Sequence, residues 1–79
     1  MEQQRIYSLN ILGQTIKRAR TENHLTQKDL ADMTGVAQPT ISDIETGETN
    51  VRMETLLKLA SVLKLDIFIQ PQQPNKDTW

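Results

Sequence analysis

The sequence contains no cysteine, and His24 is its single histidine. Without cysteine the chain can form neither a disulfide framework nor a thiolate metal site, and one histidine cannot hold a metal alone. No window approaches the roughly 18 consecutive apolar residues of a membrane-spanning helix, and no signal-peptide pattern is present. We therefore expect a soluble cytoplasmic protein that needs no metal or cofactor and enters no membrane.

The features of an enzyme are also missing. Only three glycines are present, and none lies in a phosphate-binding loop. A chain of 79 residues is too short for the deep pocket that most active sites need. Asp29 and Asp32 form a carboxylate pair, but their predicted place on a short exposed helix favours surface chemistry over acid–base catalysis. We therefore reject an enzyme, and we interpret His24 as a polar residue at a helix end.

The sequence has no large excess of charge of either sign, with 9 Lys and Arg against 10 Asp and Glu, but the two signs are unevenly distributed. The formal net charge of −1 does not indicate a uniformly basic nucleic-acid-binding protein. The first third carries the basic group, and the middle carries the acidic group. The basic group is Arg5, Lys17, Arg18, Arg20 and Lys28, and the acidic group is Asp29, Asp32, Asp43, Glu45, Glu48 and Glu54. An ordinary solvated surface gives a similar pattern, so charge alone leaves the partner open.

The first half of the chain predicts two helices. Ser8 and Asn10 are both suitable N-caps for a first helix that ends at Asn23 and His24. Thr26 is a suitable N-cap for a second helix over residues 27–34. The predicted inward positions are Leu12, Ile16 and Ala19 on the first helix and Leu30, Ala31 and Thr34 on the second.

The middle of the chain predicts two more helices. Gly35 is suited to the left-handed conformation after a helix end. A third helix starts at about Ala37 or Gln38, and Pro39 fits its first turn because the missing N–H there would have no partner. It ends at Gly47, and a fourth helix covers about residues 53–63. The predicted buried residues are Val36, Ile41 and Ile44 for the third helix and Leu56, Leu57, Ala60 and Leu63 for the fourth.

The periodicity changes after the fourth helix. Residues 65–70 are rich in β-branched and aromatic side chains, which predicts one short strand. A lone strand leaves its backbone unpaired, so we expect it to pair with the same strand of a second copy across a two-fold axis. A fifth helix or an extended linker is the alternative. The predicted dimerisation residues are Leu65, Ile67, Phe68 and Ile69, with residues 1–70 forming the domain and residues 71–79 a disordered tail.

Two short helices joined by a glycine turn are typical of a helix-turn-helix, whose second helix enters the DNA major groove. Gln38 can form two hydrogen bonds with adenine, and Pro39 offers apolar contact to a thymine methyl group. Gln27 and Lys28 lie at the start of the second helix, where the dipole favours a DNA phosphate. The predicted DNA-binding residues are Gln27, Lys28, Ala37, Gln38, Pro39, Thr40, Ser42 and Asp43.

Residues 25–47, LTQKDLADMTGVAQPTISDIETG, resemble the helix-turn-helix of the lambda-repressor/Cro-like (XRE) family. The likeness continues through LLKLASVLKLDI and covers about residues 9–66. The matching residues are Leu25, Thr26, Gln27, Leu30, Ala31, Gly35, Val36, Gln38, Ile41, Ser42, Glu45 and Gly47. The resemblance implies an all-α, lambda-repressor-like fold of four to five helices that binds double-stranded operator DNA.

The same resemblance implies roles for single residues. Gln27 is expected to contact a phosphate and Gln38 a base. Arg20 and Glu45 match a pair that forms an internal salt bridge in many relatives. Ala37 departs from the family pattern, because relatives often carry a serine or threonine cap there, and its helix start is expected to be weaker by about 1 kcal/mol.

A narrower likeness is to the HipB-type antitoxins. IYSLNILGQTIKRAR, LKLDIFI and a tail that ends in Trp79 are all similar to that group. This likeness implies a homodimer that represses its own operon and captures a HipA-type kinase toxin. Aromatic residues are favoured anchors in partner pockets, so Trp79 is the expected toxin contact. The alternative is that Trp79 has no role.

The sequence is therefore consistent with three functions. The first is a dimeric transcriptional repressor that acts as an antitoxin. The second is a phage-type or general regulator without a toxin partner. The third is a protein-interaction module that has lost DNA binding, which the net negative charge favours.

Overall fold

The computed structural model describes residues 3–72, which form four α-helices and no strand. In chain order they are α1 (Leu9–Glu22), α2 (Gln27–Thr34), α3 (Gln38–Thr46) and α4 (Met53–Leu63). The core lies where all four helices meet, and each helix contributes aliphatic side chains to it. Its buried residues are Ile16, Ala19, Leu30, Ile41, Ile44, Leu59 and Leu63.

Side-chain caps fix the first residues of α1 and α2. Ser8, rather than Asn10, caps α1, and its Oγ accepts a hydrogen bond from the Ile11 N–H at 3.2 Å. Thr26 and Asp29 form a reciprocal capping box, with bonds of 3.0 and 2.9 Å. The N–H and hydroxyl of Thr26 lower the pKa of the Asp29 carboxyl, so this box weakens only as the pH falls through that lowered value.

Two glycines end α2 and α3. Gly35 and Gly47 have φ of 76° and 77°, in the left-handed region that glycine adopts at little cost. The Gly35 N–H donates to the Ala31 carbonyl at 2.9 Å, which closes α2 and turns the chain directly into α3. This short turn joins α2 and α3 as the sequence predicted.

Asn23 joins the C-terminal ends of α1 and α4. Its Nδ2 donates to the Ala19 carbonyl at 2.7 Å and to the Leu63 carbonyl at 3.1 Å. One side chain therefore bonds to carbonyls in the last turns of two helices and holds these helix ends together. This bridge joins residues 40 positions apart, and no local sequence pattern predicts it.

The buried face of α4 differs from the predicted one at Leu57. Leu57 is 53% exposed, whereas Leu59, which the sequence reading left out, is fully buried. Ala60 and Leu63 are buried as predicted. On a helix of 3.6 residues per turn, the spacing of Leu56, Ala60 and Leu63 allows either Leu57 or Leu59 to lie on the same face. Only the contacts with the other helices determine which of the two is buried.

The predicted strand at residues 65–70 is absent from residues 3–72, as is a fifth helix. Helix α4 ends at Leu63, and the φ of 60° at its C-cap, Lys64, turns the chain. Residues 65–72 have no regular structure. A strand is defined by backbone pairing, and a single chain offers this segment no partner. Leu65 packs against the core instead of standing on a dimer surface. Trp79 and most of the predicted tail lie outside the residues that the structure describes.

Candidate nucleic-acid interface

The first turn of α3 presents a surface of short and amide side chains. Its opposite face is anchored in the core by Ile41 and Ile44, which are 0% and 2% exposed. Because these two residues fix the rotation of the helix, the other side must face outward. Exposed on that side are Ala37, Gln38, Pro39, Thr40 and Asp43, and Ser42 is half-buried.

The N-terminus of α3 has no side-chain cap. Ala37 occupies the cap position and forms no cap hydrogen bond, and Pro39 has no N–H to donate. The backbone N–H groups of Gln38 and Thr40 lie in the first turn, where no intrahelical acceptor exists. These exposed donors and the positive end of the helix dipole favour an acceptor-rich ligand such as DNA.

The N-terminus of α2 adds a second site for an anion. Gln27 is its first residue and is half-buried, whereas Lys28 is exposed. The Thr26 hydroxyl oxygen accepts a hydrogen bond from the Asp29 N–H. The first two backbone N–H groups of α2 therefore remain for an external acceptor. Lys28 and Gln38 line the same shallow depression around the turn at Gly35. The structure therefore brings the predicted phosphate-binding and base-binding residues onto one surface.

A buried ion pair lies behind this surface. Arg20 Nε donates to Glu45 Oε2 at 2.7 Å, and Arg20 Nη2 donates to Glu45 Oε1 at 3.0 Å. The two side chains are 11% and 2% exposed. The hydrogen bond to Glu45 raises the pKa of Arg20 above its ordinary value, although burial acts in the opposite direction. The pair joins α1 to the last turn of α3, as the family resemblance implied.

Two further hydrogen bonds connect the Arg20–Glu45 pair to neighbouring parts of the chain. Arg20 Nη1 donates to the Leu25 carbonyl at 2.9 Å, and Gln27 Nε2 donates to Glu45 Oε1 at 3.0 Å. Sequence reasoning missed the Gln27 bond, because no periodic pattern links residues 18 positions apart. Gln27 was assigned to an external phosphate alone, whereas its amide also has an internal partner.

The segment predicted to form the dimer is apolar and mostly uncovered. Ile67, Phe68 and Ile69 are 42%, 70% and 92% exposed.

Within residues 3–72, no helix is long and apolar enough to span a membrane. The same part of the chain contains no group of three His, Cys, Asp or Glu residues that could hold a metal ion.

Residues 16–69 match a protein family described as helix-turn-helix. This match covers more than half of the chain and includes all of α2, α3 and α4. The chain therefore belongs to the helix-turn-helix family of lambda-repressor-like (XRE) regulators, and the resemblance noted in the sequence is confirmed.

Within this family, the chain is similar to proteins of different lengths. It is 36% identical over 67 residues to the antitoxin HipB of Escherichia coli (strain K12), a match that covers 85% of this chain and 76% of HipB. It is also 36% identical over 73 residues to an HTH-type transcriptional regulatory protein of Methanothermobacter thermautotrophicus. That match covers 85% of this chain but only 24% of the archaeal protein.

A solved structure shows the same arrangement of helices. The chain superposes on a protein in the structure of a HipA-HipB-O2-O3 complex with a TM-score of 0.78 and 32% sequence identity. The superposition covers 90% of this chain and 100% of that chain. The fold is thus that of a HipB-like helix-turn-helix protein.

Proposed function

We propose that this helix-turn-helix protein is a sequence-specific transcriptional repressor in which the first turn of α3 contacts base edges in the major groove. The observation that carries this proposal is the exposed, uncapped start of α3 beside the start of α2. Gln38 is assigned to adenine, and Ala37 and Pro39 to a thymine methyl group. Thr40 and Ser42 are assigned to phosphates or base edges. Asp43 is exposed on the same side of α3 and is assigned to the same contact surface.

The start of α2 is assigned to the DNA backbone. Lys28 supplies a charge, and Gln27 supplies a neutral donor at the positive end of the helix. Few cations are available on this surface, so the affinity should depend on salt only modestly.

Replacing Gln38 with alanine is expected to weaken binding to the DNA upstream of the protein's own gene by roughly 5- to 150-fold. This range corresponds to about 1–3 kcal/mol for one bidentate contact with a base. Gel-shift titration measures the change. Gln14→Ala, which truncates an exposed glutamine on α1, should leave the affinity unchanged. Equal affinities for wild type and Gln38→Ala would contradict the assignment of Gln38.

We further propose that residues 66–70 pair with the same segment of a second copy, whereas Leu65 stays packed against the core of its own chain. The exposure of three consecutive apolar residues, Ile67, Phe68 and Ile69, supports a partner for this segment. A dimer contacts two half-sites about one helical turn apart, whereas one protomer contacts only a few base pairs.

The double variant Ile67→Lys/Ile69→Lys is expected to sediment as a monomer, whereas the wild type sediments as a dimer. Two lysines on the proposed shared sheet face repel their symmetry mates and lose apolar burial. Met33 is similarly exposed, at 58%, but lies on α2, so Met33→Lys should remain dimeric. A monomeric wild type, or dissociation caused by Met33→Lys instead, would rule out this segment as the interface.

The partner proposed for this dimer is a HipA-type kinase toxin, with Trp79 as the contact residue. Similarity to HipB over 85% of this chain supports an antitoxin. Similarity to a transcriptional regulatory protein supports the alternative, a regulator without a toxin. An adjacent gene that encodes a kinase-like protein, and co-purification of its product, would favour the antitoxin. A promoter-binding protein with no such neighbour would favour the alternative.

A further inference from the structure

The Glu45 carboxylate accepts hydrogen bonds from two residues, although one of them, Arg20, is enough to neutralise its charge. Arg20 approaches both of its oxygens, at 2.7 and 3.0 Å, and supplies the opposite charge. Gln27 then donates to Oε1 at 3.0 Å without adding any charge. The donor of this third bond is neutral and comes from the start of α2. The main effect of the bond is therefore on the Gln27 side chain and not on the charge of Glu45.

The chemistry of the carboxylate fixes the orientation of the Gln27 amide. An ionised carboxylate can only accept hydrogen bonds, so the NH₂ end of the amide must face Glu45 and the carbonyl end must turn away. Glutamine Nε2 carries two N–H bonds, and only one is used by Glu45. The second remains for another acceptor.

A DNA phosphate is an acceptor of the same kind. Gln27 is the first residue of α2, where free backbone amides and the helix dipole favour an anion. We infer that Glu45 is a positioning residue for DNA binding: it holds the Gln27 amide with an N–H available to a phosphate oxygen. This inference rests on the proposed DNA-binding function and assigns Glu45 a role besides its ion pair with Arg20.

A double-mutant cycle separates positioning from simple structural support. Gln27→Met removes the amide, and Glu45→Gln allows the Gln27 amide to turn either way, because a neutral amide can also donate. The affinity of each folded variant is measured for a random-sequence duplex of about 30 base pairs at low salt, since phosphate contacts are independent of sequence.

Gln27→Met is expected to weaken binding about tenfold, as for one charge-assisted hydrogen bond. Glu45→Gln is expected to weaken it only about twofold, because the freed amide still presents an N–H in one of its two orientations. The double variant should bind as weakly as Gln27→Met alone, because Glu45 acts through Gln27. The slope of log affinity against log salt should stay at the wild-type value in Gln27→Met, whereas Lys28→Met should reduce it by about 1. Losses that multiply in the double variant would overturn the inference. A wild type that binds no duplex would contradict the proposed function as well.

A measurement on the wild type avoids any loss of stability in the variants. The side-chain NH₂ group of Gln27 in ¹⁵N-labelled, DNA-free protein should give an order parameter near that of rigid backbone, about 0.85. The exposed Gln38 side chain serves as an internal reference and should give a value below about 0.6. Equal mobility of the two side chains would show that Glu45 does not orient Gln27 before DNA binds.

Discussion

Replacing Arg20 with methionine is expected to destabilise the fold by about 3–5 kcal/mol, because it leaves the Glu45 carboxylate buried without its opposite charge. The Glu45 side chain is only 2% exposed, and the remaining donor, Gln27, is neutral. A domain below about 80 residues rarely has more than about 3–5 kcal/mol of stability from its core. Urea unfolding followed by circular dichroism, at a fixed protein concentration, should therefore show a largely unfolded variant.

An exposed ion pair provides the matched control. Lys58 and Glu54 approach to 3.5 Å on the surface of α4, with side chains 53% and 81% exposed. Lys58→Met should cost no more than about 0.5 kcal/mol, because water screens this pair. The double variant Arg20→Met/Glu45→Leu should recover most of the lost stability, since no buried charge then remains. If Arg20→Met and Lys58→Met cost the same, the buried pair is not a major determinant of stability.

Replacing Gly13 with alanine is expected to destabilise the protein by about 3 kcal/mol, although alanine is the better helix former. A Cβ at this position would overlap the backbone of α3, lying 2.7 Å from the Glu45 carbonyl oxygen and closer still to that of Ile44. Backbone atoms cannot turn aside as a flexible side chain can, so α1 and α3 must separate. Separation of these helices also stretches the ion pair between Arg20 and Glu45.

Whether Gly13→Ala stabilises or destabilises the protein shows which effect is larger, helix propensity or steric overlap with α3. Helix propensity alone predicts that Gly13→Ala stabilises the chain by about 1 kcal/mol. Gln14→Ala, at the next and exposed position, should change the free energy of unfolding by less than about 0.5 kcal/mol. A higher unfolding midpoint for Gly13→Ala than for the wild type would contradict the close approach of α1 and α3.

Local chemistry made the helix boundaries predictable. Thr26 and Gly35 start and end α2 where a capping residue and a left-handed glycine were expected. Pro39 fits the first turn of α3 because that turn needs no donor there. Each of these signals is complete within a few residues, so no knowledge of the tertiary fold is required.

Contacts between distant residues were not predictable in the same way. Gly13 carries no side chain to form a pattern, and its role follows only from the position of α3. The bond between Gln27 and Glu45 requires the angle between α2 and α3. The segment at Ile67 has the composition of a strand, yet a strand needs a partner that one chain does not contain. The predicted site residues around Gln38 are exposed together, and their contacts with DNA stay predictions.

The most direct test of the proposed DNA contact is selection of bound sequences from a pool of random duplexes, by the wild type and by Gln38→Ala. The wild type should enrich two half-sites centred about one helical turn apart, roughly 34 Å. Gln38→Ala should lose the preference at one base pair in each half-site and keep the spacing. Enrichment of the same motif by both proteins, or of no motif by the wild type, would contradict the claim that the start of α3 contacts DNA bases.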